Sequence, residues 1–439
     1  MIKVVKFGGS SLASAEQFAK VGEIIRSDTD RRYVVPSAPG KRNDKDTKVT
    51  DMLYECDALH AAGEDIRIPF NKIKERYNTI INGLGLKLSL EEEYKIIEKN
   101  IKEGAGRDYT ASRGEYLNAK IMAAYLGFEF IDAAEVIFFD EEGRFLSDKT
   151  NEVMRKRLQK SANAVIPGFY GSTEDGKVHT FSRGGSDITG SIVAKAAEAG
   201  MYENWTDVSG CLVADPRIVD HPAQIHVVTY RELRELSYMG ASVLHEDAIF
   251  PVRKCGIPIN IRNTNAPEDP GTLIVESTCH VPEYTITGIA GKKGFVAVNI
   301  DKDMMNGEIG FCRRALQAFE DHNISIEHMP SGIDTMTVFV SQEEFMGKEQ
   351  HILAEIHKFC DPDLIELEGD LALIAVVGRG MRDARGTAGR LFSALAHANI
   401  NVKMIDQGSS ELNIIIGVRN RDFENAIRAI YDIFVKTRL

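Results

Sequence analysis

Two glycine pairs at predicted strand-to-helix junctions are the residues best suited to do chemistry in this chain. They occur in the runs Lys6-Phe7-Gly8-Gly9-Ser10-Ser11 and Ser182-Arg183-Gly184-Gly185-Ser186-Asp187. Free N–H groups at a helix start, together with the positive end of the helix dipole, favour phosphate oxygens. A glycine pair can equally serve only as a tight connection, and the first run alone supports both interpretations. The second run favours a phosphate site bounded by two such loops.

The phosphate-binding motifs of other kinase classes do not occur in the sequence. There is no Gly-x-x-x-x-Gly-Lys-Ser/Thr run and no His-Arg-Asp or Asp-Phe-Gly set, which excludes the P-loop and protein-kinase mechanisms. The run Gly378-Arg379-Gly380 follows a predicted strand and resembles a dinucleotide fingerprint. Its third glycine is missing and no full doubly wound unit follows, so we expect no dinucleotide site there.

A third motif is Ser112-Arg113-Gly114-Glu115, which leads into a predicted helix through Leu117 and Ile121. We expect Glu115 in the first turn of this helix, where a carboxylate interacts favourably with the dipole. Beside Arg113 and a glycine, Glu115 could instead bind a zwitterionic ligand. From these residues alone, pairing with the helix dipole is the preferred interpretation.

The elements around these motifs indicate alternating strands and helices through residues 1–275. Apolar β-formers precede Gly8, and Ser14 with Gln17 forms a capping box for the helix that follows. Such alternation predicts a mostly parallel sheet sandwiched by helices. Residues 41–48 are highly charged and predict a mobile surface loop, whereas residues 49–104 predict a helical excursion without phosphate signals.

An internal repeat follows a predicted linker at residues 278–288. Gly310 and Gly386 each begin a predicted helix, and Asn323 and Asn399 follow them, at a common offset of 76 residues. Each helix is followed by a short strand, a Ser/Gly turn and an alternating strand. A duplicated small domain is the economical interpretation.

Composition places the chain among soluble globular proteins of two or three domains. It has 439 residues, of which 43% are hydrophobic and 27% are charged, and its net charge is −12. The negative charge argues against a nucleic-acid partner. No apolar run is long enough to span a membrane and the chain begins in a strand, so we expect a cytoplasmic protein without a membrane partner. The six cysteines are scattered, which predicts free thiols in a reducing compartment.

These motifs, together with Thr206-Asp207-Val208, resemble in type and order the signatures of the aspartate kinases, which have the amino acid kinase fold. The two C-terminal repeats are similar to the paired ACT domains of that family. The resemblance implies an α/β kinase domain at residues 1–280. It also implies two small α+β, ferredoxin-like ACT domains at residues 285–365 and 366–439, the second able to borrow a strand from residues 286–302.

The resemblance implies ATP-dependent phosphorylation of the side-chain carboxylate of L-aspartate to 4-phospho-L-aspartate, the first step toward lysine, threonine and methionine. The attacking carboxylate is ionised near neutral pH, so the reaction requires no general base. It requires positive charge, N–H donors and positioning to bring one anion to another. The implied cofactors are ATP and Mg²⁺, with Mg²⁺ held mainly by the nucleotide and water.

The family roles carry over to matching positions of this sequence. Lys6 would neutralise the transferring phosphoryl group, and Asp187 would hold and orient Lys6. Glu115 would pair with the ammonium of aspartate, and Arg183 with its α-carboxylate, where a planar guanidinium suits a carboxylate. The implied aspartate-binding set also contains Thr50 and Ser186. The implied nucleotide-binding set is Lys6, Gly8, Gly9, Ser10, Gly185, Thr206, Asp207 and Arg217.

The ACT pair implies feedback inhibition by an end-product amino acid, lysine most often, with threonine as the other candidate. The ligand would bind where ACT domains of two subunits meet, in a homodimer or a dimer of dimers. The residues expected near it are Met305, Gly310, Phe311, Ser325, Ile326 and Glu327. For Phe311 and Ile326, a place in the ACT core explains the residue types nearly as well.

The sequence departs from the family pattern at positions on the nucleotide side. Leu212 replaces a common tyrosine, Ser209 a common proline and Ser242 a common lysine. We expect these changes to affect nucleotide binding and to leave the phosphoryl-transfer residues intact. Two alternatives remain. One is another amino acid kinase acting on glutamate, acetylglutamate or carbamate, which the ACT pair disfavours. The other is a catalytically weak amino-acid sensor, which the intact Lys6 and Glu115 disfavour.

Overall fold

Strands and helices alternate along the chain, and the computed structural model describes every residue except 183, 242–243, 245, 279–281, 383 and 438–439. The strands are β1 (Lys3–Phe7), β2 (Arg31–Pro36), β3 (Glu129–Phe130), β4 (Ala164–Val165), β5 (Tyr170–Ser172), β6 (Val178–Thr180), β7 (Met201–Thr206), β8 (Val227–Thr229), β9 (Ile259–Asn263), β10 (Thr272–Val275), β11 (Gly288–Asp301), β12 (Ile326–His328), β13 (Thr335–Ser341), β14 (Leu364–Val377), β15 (Met404–Asp406) and β16 (Asn413–Arg419). The helices are α1 (Ala15–Arg26), α2 (Val49–Ala61), α3 (Arg67–Gly83), α4 (Glu91–Lys102), α5 (Arg107–Leu126), α6 (Ser147–Leu158), α7 (Gly185–Ala196), α8 (Tyr230–Tyr238), α9 (Glu246–Arg253), α10 (Phe311–Glu320), α11 (Gln342–Phe345), α12 (Glu349–Cys360), α13 (Thr387–His397) and α14 (Phe423–Tyr431). Within the described residues, no helix combines the length and the apolar character needed to cross a membrane.

The chain divides into two compact units that are not simply consecutive in sequence. The first unit contains Met1–Cys211, His226–Tyr230 and Val243–Thr278. The second contains Leu212–Ile225, Arg231–Ser242 and Cys279–Leu439. Two segments that precede residue 280 are therefore grouped with the C-terminal part of the chain.

An eight-stranded sheet forms the centre of the first unit. Its strand order is β3-β4-β2-β1-β7-β9-β10-β8, and every neighbouring pair is parallel except β9 with β10. Val4, Val5 and Phe7 on β1 are fully buried, as expected for a parallel strand covered on both faces. The mostly parallel sheet predicted from the sequence is confirmed.

The two faces of β1 meet different helices. Val5 and Phe7 belong to the apolar core that also contains buried residues of α1 to α5. Successive side chains of a strand point to opposite faces, so Lys6 points away from this core. Helix α7 packs against β1, β2 and β7. Strand alternation therefore places the Lys6 side chain toward α7.

Trp205, the only tryptophan of the sequence, lies in a buried polar and aromatic cluster on the sheet. Its ring stacks on Phe7 at a centroid distance of 5.9 Å, and its Nε1 donates to Glu203 at 2.9 Å. The guanidinium groups of Arg31 and Arg262 lie 5.2 and 4.6 Å from the ring centroid. Arg31 Nε also donates to Glu203 at 2.8 Å, so these two buried charges are paired with each other.

The connection after β1 contains a short 3₁₀ turn at Ser10–Leu12 that the sequence did not predict. Helix α1 begins only at Ala15, and the hydroxyl of Ser14 accepts the N–H of Gln17 at 3.4 Å, which confirms the predicted cap. The helix start nearest the glycine pair is therefore that of the 3₁₀ turn.

The second unit is built on a six-stranded antiparallel sheet in the order β12-β13-β11-β14-β16-β15. Gly310 and Gly386 precede α10 and α13, and both have a φ of 82°, a left-handed conformation that suits glycine. Each helix is followed by a short strand and then a longer one, as the internal repeat predicts. One sheet therefore contains the strands of both copies.

The opposite edges of this sheet approach each other. His328 on β12 and Asp406 on β15 lie on the two outermost strands, yet His328 Nδ1 is 3.0 Å from Asp406 Oδ2. Six strands in a flat sheet would hold these groups about 24 Å apart at the usual strand spacing. The sheet is therefore strongly curved.

Candidate active site

Lys6 and Asp187 form an ion pair near the carboxyl end of β1. The distance from Lys6 Nζ to Asp187 Oδ1 is 2.6 Å, and only 10% of the Lys6 side chain is exposed. Asp187 stands in the first turn of α7, toward which strand alternation directs Lys6. The structure brings together the two residues that the sequence analysis assigned to catalysis.

Asn204 is a third member of this group that the sequence analysis missed. It lies beside Lys6 in the pairing of β1 with β7, and its Nδ2 donates to Asp187 Oδ1 at 2.9 Å. The hydroxyl of Tyr202 donates to the backbone carbonyl of Asp187 at 3.1 Å. A polar residue inside a buried parallel strand needs a partner, and this was the signal available in the sequence.

The glycines after β1 form a tightly packed turn. The N–H of Gly8 donates to the carbonyl of Trp205 at 3.0 Å, so this N–H is already engaged within the fold. A Cβ on Gly9 would lie 2.9 Å from the carbonyl oxygen of Ala38, which leaves room only for glycine. In the described part of the chain, no backbone acceptor meets the N–H of Gly9 or Ser10. These two N–H groups are therefore the donors of this loop.

The second glycine loop begins α7. Gly184 is the N-cap with a φ of 58°, and Gly185 is so close to Phe169 that a Cβ would lie 2.5 Å from its ring. Ser186 packs against the backbone between β4 and β5. Packing therefore accounts for Gly185 and Ser186 as well as any ligand would. Arg183, which the sequence analysis assigned to the α-carboxylate, lies outside the described residues.

Glu115 is buried in the middle of α5. The helix begins at Arg107, so the prediction that Glu115 lies in its first turn is wrong. Nothing before Gly114 stops a helix, and a Cβ on Gly114 would lie 2.9 Å from the Ala38 side chain, so this glycine serves packing. Oε1 of Glu115 accepts the N–H of Ala38 at 3.0 Å, and Oε2 is buried without a hydrogen-bond partner among the residues that the structure describes.

Burial raises the pKa of Glu115 to about 7, against hydrogen bonds from the backbone and the charge of Arg113, which lower it. The Arg113 guanidinium lies over the rings of Tyr109 and Tyr116, at 4.6 and 4.5 Å, and donates to the hydroxyl of Ser112. Arg113 is therefore held by its own helix. The unpartnered oxygen of Glu115 remains the group able to accept a cationic ligand.

One cavity of about 560 Å³ collects most of the predicted residues of the first unit. Its walls include the first glycine loop, the amino-acid-side residues Thr50 and Glu115, and the nucleotide-side residues Thr206 and Asp207. Residues 37–44 and Lys48 form another wall. Lys6 borders this space, because its Nζ lies 3.7 Å from the position of a Cβ on Gly8.

Arg217 belongs to the second unit, where its guanidinium pairs with Asp215 at 2.6 Å. Among the departures from the family pattern, Leu212 also lies in the second unit. Ser209 donates to Asp269 at 2.6 Å and accepts from Asn263, so its hydroxyl has a structural use. Ser242 lies outside the described residues.

Within the described residues, no group of three His, Cys, Asp or Glu side chains is placed to hold a metal ion. Asp207 lines the cavity and accepts the hydroxyl of Thr206 at 3.2 Å. Asp187 is already engaged by Lys6 and Asn204. The donor set suits a cation that brings most of its ligands with it, as Mg²⁺ does when bound to phosphates.

The predicted effector residues lie in the first ACT-like copy at the two ends of α10, with Met305, Gly310 and Phe311 at its start and Ser325, Ile326 and Glu327 after its end. Met305 and Phe311 are buried in the core of that copy. For Phe311, a place in the core is the alternative to effector binding that the sequence analysis left open. Ile326 packs against the same core, and the N–H of Ser325 donates to Glu344 at 3.2 Å. Core packing is thus sufficient to explain Phe311 and Ile326.

Comparison with protein families matches most of the chain. The amino acid kinase family matches residues 1–263, and an ACT domain matches residues 374–434. The chain is 40% identical to aspartokinase 3 of Bacillus subtilis (strain 168) over 449 residues, covering 99% of this chain and 98% of the relative. It is 28% identical to aspartokinase 1, chloroplastic, of Arabidopsis thaliana over 465 residues, covering 99% and 80%.

Solved structures show the same fold. The crystal structure of Clostridium acetobutylicum aspartate kinase is 51% identical, with a TM-score of 0.90, and the match covers 99% of this chain and 100% of that one. The structure of E. coli aspartokinase III in complex with aspartate and ADP is 23% identical, with a TM-score of 0.75 and 99% of each chain covered. The second likeness is one of fold.

Proposed function

Because the chain belongs to the amino acid kinase family and, within it, to the aspartokinases, we propose that its cavity is where ATP phosphorylates aspartate. As an aspartate kinase, the enzyme transfers a phosphoryl group from ATP to the side-chain carboxylate of L-aspartate. The observation that carries the residue assignment is the shared cavity. The glycine loop, with Lys6 beside it, and Glu115 line the same space, and one carboxylate oxygen of Glu115 has no hydrogen-bond partner among the described residues.

Lys6 supplies the positive charge that the transferring phosphoryl group requires. Its ammonium is nearly buried and is fixed by Asp187, which Asn204 holds in turn. A cation held in place before the reaction stabilises developing charge without reorganisation. Asp187 acts through Lys6 and does not remove a proton, because the aspartate carboxylate is already ionised.

Glu115 binds the ammonium of the substrate through Oε2. The site is buried, so an ion pair there is worth more than one at the surface. Thr50, in the first turn of α2, borders the same part of the cavity. Arg183 remains our proposal for the α-carboxylate on the strength of the sequence motif alone.

The nucleotide phosphates take the N–H groups of Gly9 and Ser10, and Thr206 and Asp207 line the same cavity directly after Trp205. Gly185 contributes the start of α7, whose dipole favours an anion. Mg²⁺, where bound, neutralises phosphate charge, and Asp207 is the side chain available to hold it. The other ligands would come from the nucleotide and from water.

Feedback inhibition acts through the ACT-like copies, with lysine as the proposed effector and threonine as the other candidate. E. coli aspartokinase III has been solved in complex with lysine and aspartate. For this chain we propose the effector near Met305, Gly310, Phe311, Ser325, Ile326 and Glu327, in a homodimer or a dimer of dimers. Inhibition is then a coupling free energy between two distinct sites.

An acyl-hydroxamate assay tests the function directly. With ATP and hydroxylamine, we expect hydroxamate from aspartate and little from glutamate or acetylglutamate. Added lysine should reduce the rate more than threonine does. Product from glutamate or acetylglutamate in preference to aspartate would overturn the substrate assignment, and no product from any of them would leave a sensor as the better function.

The KM for aspartate should depend on pH because Glu115 must be ionised to bind an ammonium. With a pKa raised to about 7 by burial, Glu115 is mostly protonated at pH 6 and mostly ionised at pH 8. We therefore expect the KM for aspartate to be about tenfold higher at pH 6 than at pH 8, measured at saturating ATP. A KM that is flat across this range in the wild-type enzyme would remove Glu115 from substrate binding.

A further inference from the structure

Arg76 is a buried charge on α3 that the mechanism above does not use. Its Nη2 lies 2.7 and 2.6 Å from the two carboxylate oxygens of Asp46, and only 5% of its side chain is exposed. Its Nη1 donates to the carbonyl of Gly40 at 3.0 Å. One guanidinium therefore holds two points of residues 40–48, called the 40–48 loop below.

Asp46 also accepts hydrogen bonds from within the loop. It accepts the backbone N–H of Arg42 at 2.9 Å and the Arg42 side chain at 2.9 and 3.1 Å. Hydrogen bonds from Arg42 hold the pKa of Asp46 well below its usual range, so the carboxylate stays charged in any ordinary assay. The sequence predicts a mobile loop here. The loop is exposed, but its centre is tied to a buried cation.

The anchored loop is part of the cavity wall. Lys41, Arg42 and Lys48 line the same cavity as Glu115 and the first glycine loop. In the part of the chain that the structure describes, Lys41 and Lys48 form no ion pair, so their charges are available to an anion in the cavity. The approach of two anionic substrates requires such charges.

The loop also touches the phosphate-binding turn. The N–H of Gly40 donates to the carbonyl of Gly9 at 2.8 Å, and a Cβ on Gly40 would lie 2.7 Å from the carbonyl carbon of Gly9. Arg76 binds the opposite end of the same residue, at its carbonyl. Arg76, which does not line the cavity, is thus connected to the phosphate-binding turn through Gly40.

Helix α3 also contacts α5, the helix that carries Glu115. Tyr77, next to Arg76, is fully buried and donates its hydroxyl to the carbonyl of Gly114 at 2.7 Å, one residue before Glu115. Arg76 and Tyr77, two neighbouring residues of α3, therefore contact both the 40–48 loop and the backbone of α5 beside Glu115. The sequence analysis treated α3 as part of a structural excursion.

We propose that Arg76 is a positioning residue of the phosphoryl-transfer site, which holds the 40–48 loop against the cavity so that Lys41 and Lys48 face the anionic substrates. This inference rests on the proposed function for its kinetic part. Displacing such a wall by about 1 Å can cost as much as a hundredfold in rate.

The test compares Arg76→Met with Lys74→Met, a change on the same helix that removes the ion pair of Lys74 with Glu98 (3.0 Å) outside the cavity. We expect Arg76→Met to lower kcat/KM for both aspartate and ATP at least about tenfold, because the loop borders Glu115 and the phosphate-binding turn alike. Arg76→Lys should recover part of the loss, because a lysine can pair with Asp46 but cannot also reach Gly40. Lys74→Met should leave both constants near wild-type values.

Limited trypsin digestion gives a readout that does not depend on activity, because the loop contains Lys41, Arg42, Lys45 and Lys48. Cleavage within the loop, located by mass spectrometry, should be at least about threefold faster in Arg76→Met than in wild type. Asp46→Asn tests the same contact from the loop should Arg76→Met fail to fold. Wild-type kcat/KM values for both substrates, or wild-type cleavage, in the folded variants would overturn the proposal. An inactive wild-type enzyme would instead overturn the proposed function, and the digestion would still test the anchor.

Discussion

Replacing Lys6 by methionine should lower kcat by at least about a hundredfold, while the KM values for ATP and aspartate change much less. The loss falls on kcat because the ammonium is positioned for charge that develops as the phosphoryl group moves. Methionine preserves most of the side-chain length and volume, so the turn at Gly8 and Gly9 keeps its packing. Steady-state kinetics with both substrates varied will separate the constants.

Lys3→Met is the matched control for this change. Lys3 lies on the same strand and pairs with Asp28 at 2.6 Å, outside the cavity. This ion pair is partly buried and Lys3 does not line the cavity, so its loss should leave kcat within about twofold of wild type. If Lys6→Met, shown to be folded by circular dichroism, turned over aspartate at the wild-type rate, Lys6 would have no place in the mechanism.

Replacing Glu115 by glutamine should raise the KM for aspartate about 10- to 150-fold, the range expected for losing a hydrogen bond to a charged group. The amide keeps the shape of the carboxylate and can still accept the N–H of Ala38. The dependence of KM on pH between 6 and 8 should disappear with the titrating group. Glu93→Gln, which removes an ion pair to Lys120 on α5, serves as the control.

Glu115→Gln should weaken aspartate binding but raise the stability of the folded protein relative to wild type as the pH increases. The pKa of Glu115 in the folded protein is about 7, above its ordinary value of 4.5, so the folded state favours the protonated form. The stability that this confers is present at low pH and is lost as the pH rises toward 7. Glutamine carries no such penalty, so the Tm of Glu115→Gln relative to wild type should rise between pH 5 and pH 8. A Tm difference that does not change with pH would contradict the raised pKa.

Local patterns were sufficient to predict much of the fold. The β1 strand, the Ser14 cap and the helix starts at Gly310 and Gly386 each depend on residues close in sequence, and each was predicted correctly. Short-range periodicity and capping chemistry carry this information. The pairing of Lys6 with Asp187 was expected for a different reason, because the resemblance to the aspartate kinases implied it.

Contacts between distant segments were not predictable in the same way. Nothing near Asn204 indicates that Asp187 is its partner, and nothing near Arg76 indicates that Asp46 and Gly40 lie beside it. Both are polar residues in buried settings, so the sequence could suggest that each needs a partner but not which one. The helix start of α5 was misplaced because Gly114 was taken for a boundary, whereas tertiary packing against Ala38 explains it.

The position of Trp205 gives this protein an internal optical signal. Its carbonyl accepts the N–H of Gly8, its ring stacks on Phe7, and two guanidinium groups lie near the indole. Indole emission responds to nearby charge and to small changes in packing, and no second tryptophan contributes to it. Tryptophan fluorescence, excited selectively, therefore reports on the surroundings of the phosphate-binding turn, which makes ligand occupancy measurable by titration without a label and independently of turnover.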